Sequence, residues 1–273
     1  MTVWIDGRRR TRIDCRDRGL QYGDGLFETM RAGRGAVRLL ELHLDRLAQG
    51  CKRLDIAAPD FCIVRRELAA AAAGSADAVL KLIVTRGIGR RGYRPSGAER
   101  TTRILWSTPL RGAARRAPAG PVRLRVCATR LGTNVRLAGV KTLNRLESVL
   151  ARAEWSDERI WDGLMLDTDG NVVCGTMSNV FLRRGATLVT PRIDRCGVAG
   201  VMRRWIVEQS RDVGLRAIEQ RVRLADLRAA EEVFLSNAVV GVVSVAEIRS
   251  GGLRIRPPDC DAAQRLRTCL AAL

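Results

Sequence analysis

The chain has 273 residues, of which 46% are hydrophobic, and its formal net charge at pH 7 is +19. This length suits one large domain or two smaller ones, each with a buried core. No apolar run approaches the roughly 20 residues that a membrane-spanning helix needs, and the N-terminus lacks the basic-then-apolar layout of a signal peptide. We therefore expect a soluble, cytoplasmic protein.

The positive charge has two interpretations, nucleic-acid binding or solvated arginine. Basic residues are spread along the whole chain, and the aromatic residues, 4% of the total, are not interleaved with them as stacking platforms would be. This distribution favours solvated charge. We expect neither nucleic acid nor membrane as a partner, and an acidic substrate is compatible with the charge.

Cysteine and histidine give little support to a metal site. The eight cysteines contain no C-x-x-C pair, and the only histidine is His43. Zinc-like ligand spacing and a Ser-His-Asp triad are therefore poorly supported. We expect no metal, and thiols that are for the most part buried and reduced.

The first 112 residues alternate strand and helix patterns. The Asp6-Gly7 pair predicts a turn in a hairpin over residues 2–14, and glycines before Leu26 predict tight turns leading into a strand at 26–31. The other predicted elements here are helices at 40–54 and 61–73 and strands at 78–85 and 102–107.

Residues 113–120 have no periodic pattern and end in proline and glycine, which predicts a linker before a second domain at 121–273. Gly197 opens a helix pattern, and a helix start with unpaired N–H groups is a natural phosphate site. The predicted strands of this domain lie at 122–127, 163–167, 172–173, 176–182, 187–190, 217–221, 232–235 and 239–245. Its predicted helices lie at 143–156, 197–213, 224–229 and 261–270.

Lysine is rare in this arginine-rich chain. The 48 basic residues include only Lys52, Lys81 and Lys141. An amine can deprotonate and attack a carbonyl, whereas a guanidinium cannot. A retained lysine therefore indicates covalent chemistry, and composition leaves all three as candidates.

Several stretches resemble the fold-type IV family of pyridoxal-phosphate enzymes, and the resemblance covers nearly the whole chain. Asp17–Thr29, His43–Leu47 and Gly175–Phe181 are similar to the wider family, which includes branched-chain and D-amino-acid aminotransferases. Leu137–Glu147 and Ser236–Val245 more closely resemble the aminodeoxychorismate lyases within it.

This resemblance implies an α+β fold with a small α/β N-terminal domain (1–112) and a larger β-barrel-like C-terminal domain with flanking helices (121–273) that carries a Schiff-base lysine. It implies pyridoxal 5'-phosphate in the cleft between them, and a homodimer. The implied reaction is an α,β-elimination that converts 4-amino-4-deoxychorismate to 4-aminobenzoate and pyruvate in folate biosynthesis. The alternatives are a D-amino-acid or branched-chain aminotransferase and, remotely, a nucleic-acid-binding protein on an inactive enzyme fold.

The resemblance also assigns roles to individual residues. Lys141 is the Schiff-base lysine and the group that moves the substrate proton. Arg46 binds the cofactor phosphate, which suits the planar donor fork of a guanidinium. Asn179 is expected to be a structural turn residue close to the cofactor.

Four further residues belong to the expected phosphate site. The backbone N–H groups of Val201 and Met202, at the mouth of the helix after Gly200, resemble the family's phosphate donors. Ser236 and Asn237 occupy the stretch that completes this site.

One position departs from the family pattern. The family has Glu five residues before Asn179, where its carboxylate contacts the pyridine nitrogen of the cofactor, and this chain has Cys174. A thiol holds the ring proton less firmly than a carboxylate unless the thiol ionises. We interpret the change as favouring a lyase over an aminotransferase, because a product that gains aromaticity tolerates a weaker electron sink. The alternative is a buried, inert cysteine.

The implied substrate has two carboxylates, so its site should present donors. Arg91 and Tyr93, in the loop after the strand at 78–85, are the candidates, and the alternative for both is an ordinary solvated loop.

Overall fold

The computed structural model of the chain describes residues 1–33, 35–110, 118, 120–258 and 261–271. The chain forms two compact units. The first is Met1–Arg115 with Val140–Asn144, and the second is Arg116–Gly139 with Arg145–Leu273. Most of the predicted linker, residues 113–117 and 119, lies outside the described residues.

The first unit is a six-stranded antiparallel sheet with helices. Its strands are β1 (Thr2–Ile5), β2 (Arg8–Arg9), β3 (Gly25–Gly33), β4 (Ala36–Val37), β5 (Ala78–Thr85) and β6 (Thr102–Pro109). Its helices are α1 (Arg18–Tyr22), α2 (Leu40–Leu54) and α3 (Phe61–Ala73). The strand order is β2-β1-β6-β5-β3-β4.

Side chains alternate across this sheet, as the twofold period of a strand requires. Leu26 and Met30 of β3 are buried with Leu80 and Leu82 of β5, in one core with apolar residues of α2 and α3. The side chains between them point to the opposite face and are half-buried. We call this second face the Phe27 face, and its members include Phe27, Thr29, Lys81, Ile83, Ile104 and Trp106.

The helix ends in this unit follow known capping rules. Asp60 accepts hydrogen bonds from the backbone N–H groups of Cys62 and Ile63 and so caps α3. Asp17 caps the short helix α1, which ends at Gly23 in the left-handed conformation, with φ of 65°. Sequence patterns did not predict α1, because one helical turn is too short to show an apolar period.

The second unit is a nine-stranded mixed sheet with flanking helices. Its strands are β7 (Val122–Leu131), β8 (Ile160–Asp167), β9 (Val172–Gly175), β10 (Asn179–Arg184), β11 (Thr187–Pro191), β12 (Arg216–Gln220), β13 (Glu232–Asn237), β14 (Gly241–Ser250) and β15 (Leu253–Ile255). Its helices are α4 (Leu146–Arg152), α5 (Val201–Gln209, continued by a 3-10 turn at Ser210–Val213), α6 (Leu224–Arg228) and α7 (Asp261–Ala271).

The sheet of the second unit curls upon itself. Its strand order is β12-β11-β10-β13-β14-β7-β8-β9, with β15 paired to β14. Val172 of the edge strand β9 bridges Val222, which follows the opposite edge strand β12. The two edges therefore approach each other, and the expected α+β fold with a β-barrel-like second domain is confirmed.

The helix predicted after Lys141 is shorter in the structure. The helix expected over residues 143–156 begins only at Leu146 and ends at Arg152. Residues before it are extended, because the N–H of Leu143 donates to the carbonyl of Gly25 and Thr142 bridges Leu26. In the parts of the chain covered by the structure, no helix is both long and apolar enough to cross a membrane.

Candidate active site

Lys141 lies in a short extended segment that pairs with the start of β3. The N–H of Phe27 donates to the Lys141 carbonyl at 3.1 Å, and the Lys141 Nζ lies 4.3 Å from the centre of the Phe27 ring. Sequence order places this lysine in the C-terminal domain. The structure differs, since backbone pairing joins Val140–Asn144 to the first unit.

Arg46 belongs to a buried charged cluster with Glu28 and His43. Glu28 points from β3 into the core, and His43 and Arg46 are three residues apart on α2 and so share one helix face. Arg46 donates from Nε to Glu28 Oε1 at 2.8 Å and from Nη2 to Glu28 Oε2 at 2.5 Å. Glu28 thus engages the Nε/Nη2 edge of the guanidinium.

The charges in this cluster are set by burial and by pairing. Burial opposes the ionisation of Glu28, but Arg46 and His43 outweigh it and lower the pKa of Glu28 to about 2. Burial lowers the pKa of His43, so its imidazole is neutral at pH 7. His43 Nδ1 lies 2.5 Å from Glu28 Oε2. A neutral ring that donates from Nδ1 carries a lone pair at Nε2, and Nε2 is buried without a hydrogen-bond partner among the described residues.

The start of α5 in the second unit has the features of an anion site. Gly200 precedes the helix and provides no side-chain cap, and the first N–H groups of a helix, here those of Val201 and Met202, have no intrahelical acceptor. Asn179 Nδ2 donates to the Val198 carbonyl at 2.9 Å. A Cβ on Gly200 would lie 2.0 Å from Asn179 Oδ1. Asn179 thus positions the chain entering α5.

Ser236 and Asn237 behave differently from each other. Ser236 pairs with Asn179 in the register of β13 and β10, and its Oγ is buried with no hydrogen-bond partner in the described part of the chain. Asn237 Oδ1 accepts from the N–H groups of Val239 and Val240 and so closes a turn. The Ser236 hydroxyl therefore has unused hydrogen-bonding capacity, whereas the amide oxygen of Asn237 is committed to the backbone.

An orphaned hydroxyl and an uncapped helix start fit a phosphate group. Buried polar atoms are normally paired, and α5 packs against β13, the strand that carries Ser236. The second unit thus supplies neutral donors suited to an anion.

Cys174 lies on β9 and is buried. Burial, and next the Asp162 carboxylate, raise the pKa of its thiol to about 12. The thiol is therefore neutral at physiological pH. This raised pKa argues against an ionised Cys174 in place of the family's carboxylate.

Asp162 is a buried carboxylate that sequence reasoning missed. Its oxygens accept hydrogen bonds from the hydroxyls of Thr176 and Ser178 at 2.5 and 2.7 Å and from two backbone N–H groups. Burial raises the pKa of Asp162 even though these donors oppose the change. The residue organises the turn between β9 and β10, and a lone Asp after Trp161 carries no sequence signal for this role.

The loop of Arg91 and Tyr93 is anchored by a residue outside it. Arg18, which is buried, donates to the carbonyls of Gly92 and Tyr93 at 2.9 and 2.7 Å. The Tyr22 and Tyr93 rings lie 5.3 Å apart. Both candidate side chains are exposed, so the backbone is fixed while the side chains remain accessible.

Comparison with known proteins agrees with the motifs. The family model described as amino-transferase class IV matches residues 25–248. The chain is 34% identical to the aminodeoxychorismate lyase of Vibrio harveyi, over 97% of each chain. It is 30% identical to a putative branched-chain-amino-acid aminotransferase of Methanocaldococcus jannaschii, covering 91% of this chain and 88% of that one.

A solved structure is similar over the same extent. The crystal structure of 4-amino-4-deoxychorismate lyase from Pseudomonas aeruginosa superimposes with a TM-score of 0.90 at 45% identity, covering 99% of this chain and 98% of that one. The family expected from the sequence motifs is confirmed. On the evidence of the family model and these near full-length similarities, the chain belongs to the class IV aminotransferase family.

Proposed function

We propose that the protein is a pyridoxal 5'-phosphate-dependent lyase that converts 4-amino-4-deoxychorismate to 4-aminobenzoate and pyruvate, a step of folate biosynthesis. The observation that carries the proposal is the 45% identity, over almost the entire chain, to a lyase of that name. The retained Lys141, with its amine beside an aromatic ring, supplies the chemistry that such a lyase needs.

The cofactor ligands in this proposal come from residues already described. Lys141 is the Schiff-base lysine, and Arg46 binds the phosphate. The N–H groups of Val201 and Met202 and the Ser236 hydroxyl complete the phosphate site, while Asn179 and Asn237 shape the adjoining backbone. When bound, the cofactor supplies an aldehyde for the lysine and an electron-withdrawing ring.

Lys141 then moves a proton. Its amine removes the proton from the carbon that bears the substrate nitrogen, and the bond from the adjacent carbon to the enolpyruvyl oxygen breaks. The substrate ring becomes aromatic, and the released enolpyruvate takes up a proton to give pyruvate. The Phe27 ring, 4.3 Å from Nζ, favours the cationic form of the lysine after it has accepted the proton.

The Cys174 side chain bears on the reaction type. A neutral thiol contributes no charge beside the ring nitrogen, so the electron sink is weaker than with the usual carboxylate. An elimination that ends in an aromatic product has a large driving force and tolerates this loss. An aminotransferase lacks that driving force, and the substitution therefore favours the lyase.

Arg91 and Tyr93 are proposed to contact a substrate carboxylate. Their exposure leaves both side chains available to a ligand. The anchoring of the loop by Arg18 reduces the entropy lost when they bind.

We also propose that the enzyme is a cytoplasmic homodimer. The seven described cysteines have free thiols, which suits a reducing compartment. Leu146, Val149 and Leu150 expose one apolar side of α4, as an interface between two copies would require. Light scattering of the wild type and of Leu150→Arg tests the dimer, and a monomeric wild type would refute it.

The activity is tested with purified holoenzyme and 4-amino-4-deoxychorismate, without any 2-oxo acid. Release of equal amounts of 4-aminobenzoate and pyruvate supports the lyase, and Lys141→Ala should abolish it. The second candidate, an aminotransferase, is favoured by the similarity to the Methanocaldococcus protein. Turnover seen only with an amino acid and an oxo acid together would replace the lyase by that candidate.

A further inference from the structure

The Phe27 ring contacts two of the three lysines in the chain. Lys141 Nζ lies 4.3 Å from the ring centre and Lys81 Nζ lies 5.1 Å from it. The two amines can be no farther apart than the sum of these distances. Lys81 also lies 5.8 Å from the centre of the Trp106 ring. Lys81, one of the three lysines that composition left as candidates, is therefore a neighbour of the proposed catalytic lysine.

The register of the sheet explains this arrangement. Lys81 pairs with Thr29 on β3 and with Trp106 on β6, and Phe27 lies two residues before Thr29 on the same side of β3. Lys141 joins the other side of β3 through its hydrogen bond to Phe27. Strand pairing thus places Lys81, Phe27 and Lys141 in a row along the Phe27 face.

Lys81 lacks an anionic partner within the described residues, although it is half-buried. Its direct cross-strand neighbours are a hydroxyl residue and an indole. The nearby carboxylate of Glu28 points to the opposite face, where it binds Arg46 and His43. An ammonium group against two aromatic rings is partly desolvated, so an anion that reached it would bind more strongly than at an open surface.

We infer that Lys81 binds a carboxylate of the substrate, so that the enzyme takes a ring acid whose amine reacts near Lys141 while its carboxylate meets Lys81. This inference rests on the proposed function and identifies a substrate contact within it. The amines of Lys81 and Lys141 both lie against the six-membered ring of Phe27. The distance between the amine and the carboxylate at opposite ends of a substrate ring is comparable to the separation of these two lysine amines. Phe27 and Trp106 supply flat apolar surface beside such a ring.

The test compares the holoenzyme with Lys81→Met, which keeps the apolar stem and removes the charge, and with Lys81→Arg, which keeps a charge. Lys52→Met is the matched control, because Lys52 is exposed on α2. We expect Lys81→Met to raise KM for 4-amino-4-deoxychorismate by about 10- to 100-fold, the usual effect of losing a charged hydrogen bond, with a much smaller change in kcat. Lys81→Arg should recover part of the loss, and Lys52→Met should match the wild type.

Two ligands separate this inference from the proposed function. Titration of each holoenzyme with 4-aminobenzoate and with aniline measures the contribution of the carboxylate without turnover. Lys81→Met should lower the affinity for 4-aminobenzoate by about tenfold or more and leave the affinity for aniline within about twofold of the wild-type value. Equal weakening of both ligands, unchanged affinity for 4-aminobenzoate, or no wild-type preference for the acid would overturn the inference. Failure of lyase turnover alone would overturn the proposed function and leave this titration decisive for Lys81.

Discussion

Glu28 and Arg46 are joined along one edge of the guanidinium, with Nε 2.8 Å from Oε1 and Nη2 2.5 Å from Oε2. His43, three residues before Arg46 on α2, approaches the same carboxylate. This arrangement fixes the orientation of Arg46 before any ligand binds. Glu28 is therefore a positioning residue for the proposed phosphate ligand, and it makes no contact with the phosphate itself in this proposal.

The low pKa of Glu28 makes the stability of the fold sensitive to acid. The folded value of about 2 lies below the ordinary 4.5, so the stabilisation is complete above pH 4.5 and is lost as the pH falls towards 2. The shift corresponds to about 3 kcal/mol. Denaturant unfolding at several pH values should show that Glu28→Gln is less stable than the wild type at pH 6 and that the gap narrows in this window.

The matched control for that measurement is Glu208→Gln, which alters an exposed ion pair with Arg204. Exposed pairs of this kind contribute little to stability, so this variant should follow the wild-type pH profile. A constant gap between Glu28→Gln and the wild type from pH 6 to pH 2 would contradict the assigned ionisation of Glu28.

Thiol reactivity should divide the cysteines into two classes. Cys15 and Cys62 are exposed, whereas burial raises the pKa of Cys127 and Cys174 to about 12 and that of Cys51 and Cys196 to about 11. Because the thiolate is the reactive form, iodoacetamide at pH 8 should modify the exposed pair in the native protein and the four buried thiols only after unfolding. Peptide mapping by mass spectrometry measures this, and native labelling of Cys174 would show that its thiol is ionised or accessible.

The sequence patterns predicted local elements more accurately than distant contacts. Apolar spacing predicted α2 and α3 at the bounds that the structure shows, because one face of each helix is buried. The pairing of Lys141 with Phe27 joins residues more than a hundred positions apart, and no local pattern encodes it. The partners of Glu28 and the neighbours of Lys81 likewise depend on strand register. The scarcity of lysine marked Lys81 as a candidate, but its place beside Phe27 became visible only from the strand pairing of the sheet.

Restoring the family's carboxylate with Cys174→Glu tests the departure at this position. The new side chain would be buried close to Asp162, which already affects the ionisation of Cys174, so we expect lower stability of the cofactor-free protein from two like charges. If position 174 contacts the ring nitrogen, the visible spectrum of the holoenzyme and the lyase rate should both change. Cys174→Gln, of similar size and uncharged, is the control. An unchanged spectrum and rate in the Glu variant would leave Cys174 as an inert core residue.

Gly200 is expected to be intolerant of any side chain. A Cβ there would lie 2.0 Å from Asn179 Oδ1, so Gly200→Ala should displace Asn179 or the start of α5 and cost about 1–3 kcal/mol. Gly252→Ala is the control, because no atom lies within 4 Å of its added Cβ. In a double-mutant cycle, Asn179→Ala should remove much of the penalty of Gly200→Ala. Additive losses in thermal unfolding would show that the contact does not limit this position.

Ser236→Ala separates a ligand-binding hydroxyl from a structural one. The Ser236 Oγ is buried and has no hydrogen-bond partner among the described residues, so its removal should leave the cofactor-free protein equally stable or slightly more stable. If the hydroxyl binds the cofactor phosphate, the same change should lower the affinity for pyridoxal phosphate by about tenfold. Thr190→Val is the matched control, because its buried Oγ1 donates to the Val180 carbonyl at 2.9 Å. Thr190→Val should destabilise the cofactor-free protein and the holoenzyme equally and leave cofactor affinity unchanged. Equilibrium dialysis and thermal unfolding measure the two effects, and a loss of stability in cofactor-free Ser236→Ala without a loss of affinity would remove Ser236 from the phosphate site.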